Sequence, residues 1–170
     1  MRALLAAVLL LLGLSRPGYA EPPRLAVFDF ELIDSSLQGE VYGSRPEQER
    51  LVRAADQLRK LLADSGRFQV LDIAPVNAAA HASNLQACGG CDVKLAAQLG
   101  ADLVMTGAVQ KVSNLILNMN IYVRDVHTGK LVTAASADMR GDTDESWSRV
   151  VSYLVRNRLL APNWGAPQPQ

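Results

Sequence analysis

The sequence predicts an α/β fold of the α+β kind: a single domain with a mixed sheet and the element order β-α-β-α-α-β-β-β-α. Three observations carry this expectation. A dense apolar run over residues 24–30 is followed by a strongly amphipathic segment and a second short apolar run. Residues 101–139 then alternate like three consecutive strands, a meander with a tight turn at Thr128-Gly129. A last amphipathic stretch around Trp147 is placed to cover that meander.

The N-terminal twenty residues have the layout of a secretory signal peptide. Arg2 supplies the positive end, residues 3–14 are continuously apolar, and Gly18 and Ala20 occupy the small-residue cleavage positions. Twelve apolar residues are too few to span a bilayer. No cysteine follows Ala20 directly, so no lipid anchor is expected. Cleavage after Ala20 leaves residues 21–170, enough chain for one core. It removes Arg2 and Arg16, leaving 15 basic against 17 acidic residues, a net charge of −2. Aromatic residues are only 5% of the chain and no basic stripe accompanies them, which excludes the usual nucleic-acid footprint.

Residues 24–30 read as an interior strand covered on both faces. Residues 31–46 contain Asp34, Ser35, Ser36, Gly39, Gly43 and Pro46 and read as a loop, long enough to suggest a function. In residues 47–64, Leu51, Ala54, Ala55, Leu58, Leu61 and Leu62 recur at helical spacing, and Gly66 ends the helix. Residues 67–72 form the second strand, and a strand–helix–strand order favours a right-handed crossover with parallel strands. Residues 75–83 and 92–99 read as short helices, separated by a break at Gly89 and Gly90.

The strand over residues 103–109 is apolar on both faces, which makes it central, and Gly107 marks a close approach by a neighbour. In the next strand Leu115, Leu117, Met119, Ile121 and Val123 share one face. Ile116, Asn118, Asn120, Tyr122 and Arg124 share the other, the period of a half-buried antiparallel strand. Residues 127–130 form the turn and residues 131–139 a strand of mostly small side chains. Asp142 and Glu145 have capping-box spacing, with Thr143 a rival N-cap. The stripe Trp147, Val150, Val151, Leu154 and Val155 defines the last helix, Pro162 stops it, and residues 163–170 form a loosely held tail.

The chemistry is sparse. Cys88 and Cys91 are the only cysteines, and in a secreted chain they are expected to pair. The Cys88-Gly-Gly-Cys91 bridge reads either as a local staple, contributing about 2 kcal/mol, or as a thiol–disulfide exchange site favoured by a helix N-terminus. Asp92 removes the haem-attachment signature, and a zinc site would need two ligands beyond Cys88 and Cys91, whereas the only histidines, His81 and His127, lie on different elements. Neither metal nor cofactor is expected. Asp138, Asp142, Asp144 and Glu145 read as helix-start acids rather than as a calcium loop. Asp29, Glu31 and Asp72 lie at or just past the carboxyl ends of the first two strands, where open α/β sheets hold ligands. They are candidates for a ligand crevice, and Asn118, Asn120, Tyr122 and Arg124 for a partner surface. No complete catalytic motif is present.

Three segments together carry a family resemblance. Leu25-Ala-Val-Phe-Asp-Phe30 resembles the opening strand of TolB amino-terminal-like and CsgG-like envelope domains. Leu99-Gly-Ala-Asp-Leu-Val-Met-Thr-Gly107 is similar to their central strand entry, and Ile121-Tyr-Val-Arg-Asp-Val-His-Thr-Gly-Lys130 to their hairpin. Cys88-Gly-Gly-Cys91 and residues 142–147 look like a narrower group of secreted bacterial proteins. The resemblance implies a non-enzymatic periplasmic domain that works through protein contacts. The expectation is therefore a binding or assembly accessory of the cell envelope or of a secreted enzyme system, with a protein partner in the periplasm and no stable membrane anchor. The alternatives are a redox protein using Cys88 and Cys91, and a small-ligand binder using the 31–46 loop.

Overall fold

The computed structural model describes residues 21–162 and Trp164; the expected signal peptide and the rest of the tail lie outside the described residues. The elements are β1 (Arg24–Val27), β2 (Glu31–Asp34), α1 (Leu37–Tyr42), α2 (Arg45–Asp64), β3 (Gln69–Val70), a 3-10 turn (Ala74–Val76), α3 (Asn77–His81), α4 (Cys91–Gln98), β4 (Leu103–Ser113), β5 (Ile116–Asp125), β6 (Leu131–Met139), α5 (Asp144–Leu154) and a π turn (Val155–Leu159). One mixed sheet of six strands has five in the order β3-β1-β4-β5-β6, and β2, off this path, pairs with β4. β1 is parallel to both β3 and β4, and β4, β5 and β6 are antiparallel, as the meander pattern predicts.

β2 takes up the pairing with β4 where β1 leaves off, with Glu31 opposite Ala108 and Asp34 opposite Lys111. The expected loop over 31–46 is thereby corrected: it holds a strand and a helix. Only four residues of β2 are paired, too few for period two to stand out among Gly and Ser, and their conformation is set by the long β4 beside them. Two other expectations shrink. The strand over 67–72 pairs at Gln69 and Val70 only, and the helix over 75–83 is a 3-10 turn followed by Asn77–His81. Helix α2 starts two residues early, with Pro46 in its first turn, where a missing N–H costs nothing.

Two cores flank the sheet. On one face Leu51, Ala54, Leu58 and Leu62 of α2 and Trp147, Val150, Val151 and Leu154 of α5 pack on Leu25, Val27, Met105, Met119 and Ile121. On the other, Ala26, Phe28 and Val104 pack against Ile73, Val76, Ala80, Leu95 and Ala96. Full burial of one such aliphatic side chain stabilises the fold by about 1.5–3 kcal/mol. β1 and β4 are therefore sandwiched, which explains their apolar residues on both faces. β5 is covered on one face alone: Leu117, Met119, Ile121 and Val123 are buried, while Asn118, Asn120, Tyr122 and Arg124 are only half-buried.

Gly107 is the close approach that the sequence suggests. A Cβ there would lie 2.1 Å from the Phe30 ring, so the ring of the β1–β2 connection seats directly on the β4 backbone.

Candidate protein-binding surface

Asp34 ends β2 and organises the turn and helix after it. One of its carboxylate oxygens accepts from the Ser36 N–H (2.9 Å) and hydroxyl (2.6 Å). The other accepts from the Ser44 hydroxyl at 2.7 Å. Ser36 in turn caps α1 by accepting from the Gly39 N–H at 3.0 Å. A Cβ on Gly39 would sit 2.3 Å from Asp34, so only glycine lets the helix lie on the carboxylate. One side chain thus clamps both ends of the excursion that contains α1. Burial pushes the Asp34 carboxyl up, but the Ser36 and Ser44 donors and the Lys111 charge outweigh it and hold the group below its ordinary value.

What the clamp holds out is apolar. Helix α1 buries none of its residues. Leu37 and Val41, one turn apart on the same face, are 73% and 61% exposed, and Tyr42 is 83% exposed. Helix α1 begins three residues beyond Asp34, the residue paired with Lys111, so it starts near the end of β4 that turns into β5. There Val112, Leu115 and Ile116 are exposed too, as is Ile33 of β2. Exposed apolar side chains gathered on elements at one end of a sheet are of the kind that mark interaction sites.

A buried charge cluster stands at the base of this end. The Lys111 ammonium pairs with Glu47 and lies 3.1 Å from Asp142. Asp142 also receives Arg50 at 3.2 Å and the Trp147 indole N–H at 2.9 Å. Burial pushes Asp142 up, but its bonds within the cluster and the Arg50 charge hold it below the usual carboxylate range. β4, α2 and the approach to α5 are tied at one point.

The residues expected to matter separate into three places. Asn118, Asn120, Tyr122 and Arg124 do share one open sheet face. Asn118 donates to Ser136 (2.9 Å) and Asp138 (2.8 Å) across to β6, and Arg124 pairs with the buried Asp92 at 3.4 Å. Asp29 and Glu31 line a cleft of about 570 Å³ between the β1–β2 connection and residues 80–87. Their charges are already engaged: Asp29 pairs with Arg59 and with His81 at 2.9 Å, and Glu31 accepts from the Leu85 N–H at 2.6 Å. Asp72 does not line that cleft; its carboxylate accepts from the Ala74 N–H two residues on, at 2.9 Å, where the 3-10 turn begins. Cys88 and Cys91 form a disulfide, with Cys88 exposed and Cys91 opening α4. Among the described residues no group of His, Cys, Asp or Glu is placed to hold a metal ion.

Leu37, Val41 and Tyr42 escaped the sequence reading. Their signal was present as an i, i+4 apolar pair after a Ser N-cap, but Gly39 and Gly43 obscured it.

No curated protein matches the sequence. Among solved structures, the LpoB C-terminal domain from Salmonella enterica is similar with a TM-score of 0.53 at 18% identity, over 73% of this chain and 87% of that one. The LpoB C-terminal domain from Escherichia coli gives 0.51 at 18%, over 74% and 87%, and the NMR structure of E. coli LpoB gives 0.53 at 17%, over 74% and 60%. Such identities show a shared α/β fold, and they do not single out a CsgG-like relationship. The family description "Protein of unknown function (DUF2380)", carried by the DUF3280 profile, matches residues 23–159, nearly all of the described fold, and the chain belongs to that family.

Proposed function

We propose that the protein is a non-enzymatic accessory of the bacterial envelope that binds a protein partner in the periplasm through α1 and the β4–β5 hairpin. The observation that carries this reading is a helix with no buried side chain that is nevertheless clamped in place by Asp34. Such an element contributes nothing to the core, so its order serves presentation. The secretory pattern of the N-terminus and an LpoB-like fold support the compartment. A protein suits the surface better than a lipid bilayer. Glu40 is the only charged residue in α1, residues 113–116 carry no charge, and Arg140 is the only basic side chain lining the hollow beside Leu115 and Ile116, short of the Lys- and Arg-rich face that anionic headgroups recruit.

The test is a photo-crosslinking residue at position 42 of the mature protein, irradiated in periplasmic extract. A single protein adduct is expected, lost on Leu37→Asp with Val41→Asp while the thermal midpoint stays unchanged. Absence of an adduct, an adduct indifferent to those changes, or co-sedimentation with anionic vesicles instead would sink the reading.

A redox role is the second reading, favoured by the exposure of Cys88. It requires a disulfide reduction potential well above about −300 mV.

A further inference from the structure

We infer that β6 is a strand-addition edge that accepts an extended, acidic peptide segment from a partner chain. β6 is the last strand of the sheet and pairs only with β5, so its outer N–H and C=O groups are unpaired among the described residues. It runs for nine residues, longer than the average strand of about 5–6 residues. Exposed edges are normally blunted by proline, lysine or a bulge that turns the strand away. From Leu131 to Ala137 this edge has neither proline nor charge. Its pairing with β5 is regular from Thr133 to Met139.

A groove accompanies the edge. About 550 Å³ lies between β6 and α5, lined by Ala137, Met139 and Val150, with Tyr153 as a wall and Arg140 and Arg149 at the rim. It shares Asp138, Met139 and Arg140 with a second hollow of about 640 Å³ that reaches Leu115 and Ile116 of the β4–β5 hairpin. The groove is therefore continuous with one part of the proposed partner surface. The inference takes from that reading only that the occupant is a protein.

Charge and backbone chemistry select the occupant. Arg140 has no ion-pair partner among the described residues, and Arg149 holds only the exposed Glu145, a pair worth little in water. Asp138 also borders both hollows, but its carboxylate forms no ion pair with either arginine and accepts from the Asn118 amide instead, at 2.8 Å. A second copy of β6 would bring Thr133, Ala135, Ala137 and Met139 on one face and a single carboxylate, Asp138, already held by Asn118, for two arginines. An extended strand with a carboxylate satisfies the ladder and the arginines together.

The test uses a short synthetic peptide alternating valine with glutamate, and the same peptide methylated on every second backbone nitrogen. Amide exchange and anisotropy are measured on the mature protein. The parent peptide is expected to slow exchange across Leu131–Met139 by about tenfold or more. The methylated peptide should not bind, because it cannot complete the ladder. Arg140→Glu with Arg149→Glu, both at exposed positions, should weaken binding by about tenfold or more. Leu37→Asp with Val41→Asp should leave it unchanged, which separates failure here from failure of the α1 reading. Equal binding of the methylated peptide, protection elsewhere than β6, no binding of the parent peptide, or a free dimer whose β6 amides are already protected would overturn the inference.

Discussion

The Lys111 ammonium, on a side chain 1% exposed, lies 3.1 Å from the carboxylate of Asp142. This pair joins β4 to the residues that lead into α5, and Glu47 of α2 completes it. Burial opposes the charge on Lys111, but the two carboxylates outweigh it and hold the ammonium above its ordinary value.

Breaking this cluster from one side should be costly. Lys111→Met keeps the volume but leaves Glu47 buried without its cation and takes one of two cations from Asp142, and one oxygen of Glu47 already has no hydrogen-bond partner among the described residues. Denaturant unfolding is expected to show a loss of about 3–5 kcal/mol. Adding Glu47→Leu should restore most of it, because Asp142 keeps Arg50 and Trp147.

Gly107→Ala should destabilise the fold by about 1–3 kcal/mol through overpacking. The new methyl would meet the buried Phe30 ring and lie 3.0 Å from the Asn120 carbonyl oxygen. Phe30→Leu in the same chain should recover part of the loss, measured as a midpoint shift in urea.

The α1 clamp should respond to acid. Asp34 titrates below 3.8 in the folded protein, so its contribution is present above that value and is lost as pH falls through the lower folded value. Asp102 behaves alike: hydrogen bonds from Arg24, including its backbone N–H, lower it to about 2 despite some burial. Stability should therefore decline between about pH 4 and pH 2. Asp34→Asn should accelerate exchange of the α1 amides at neutral pH, with the amides of β4 unaffected.

Reducing the Cys88–Cys91 bridge should cost about 2 kcal/mol, because the loop it closes is short. The check is a pair of unfolding curves with and without reductant. Unchanged α5 amide shifts are expected, since α5 packs on the face of the sheet opposite to α4.

The elements with long, regular patterns were legible in the sequence. Helix α2, helix α5 and the alternation of β5 each bury one face, and periodicity reports one-sided burial directly. The disulfide followed from the cysteine count and compartment. Short elements were not legible, because β2 and α1 have too few residues for a period and take their conformation from β4 and from the Asp34 clamp. Nor could the sequence show that Asp29 and Glu31 are spent on Arg59, His81 and Leu85, or that Lys111 is buried. Composition and periodicity by themselves determined the layers, the central strand and the half-covered meander. Only the tertiary structure decided which polar groups are satisfied, which apolar groups stay outside and which edge stays open, because those depend on contacts between residues far apart in the chain.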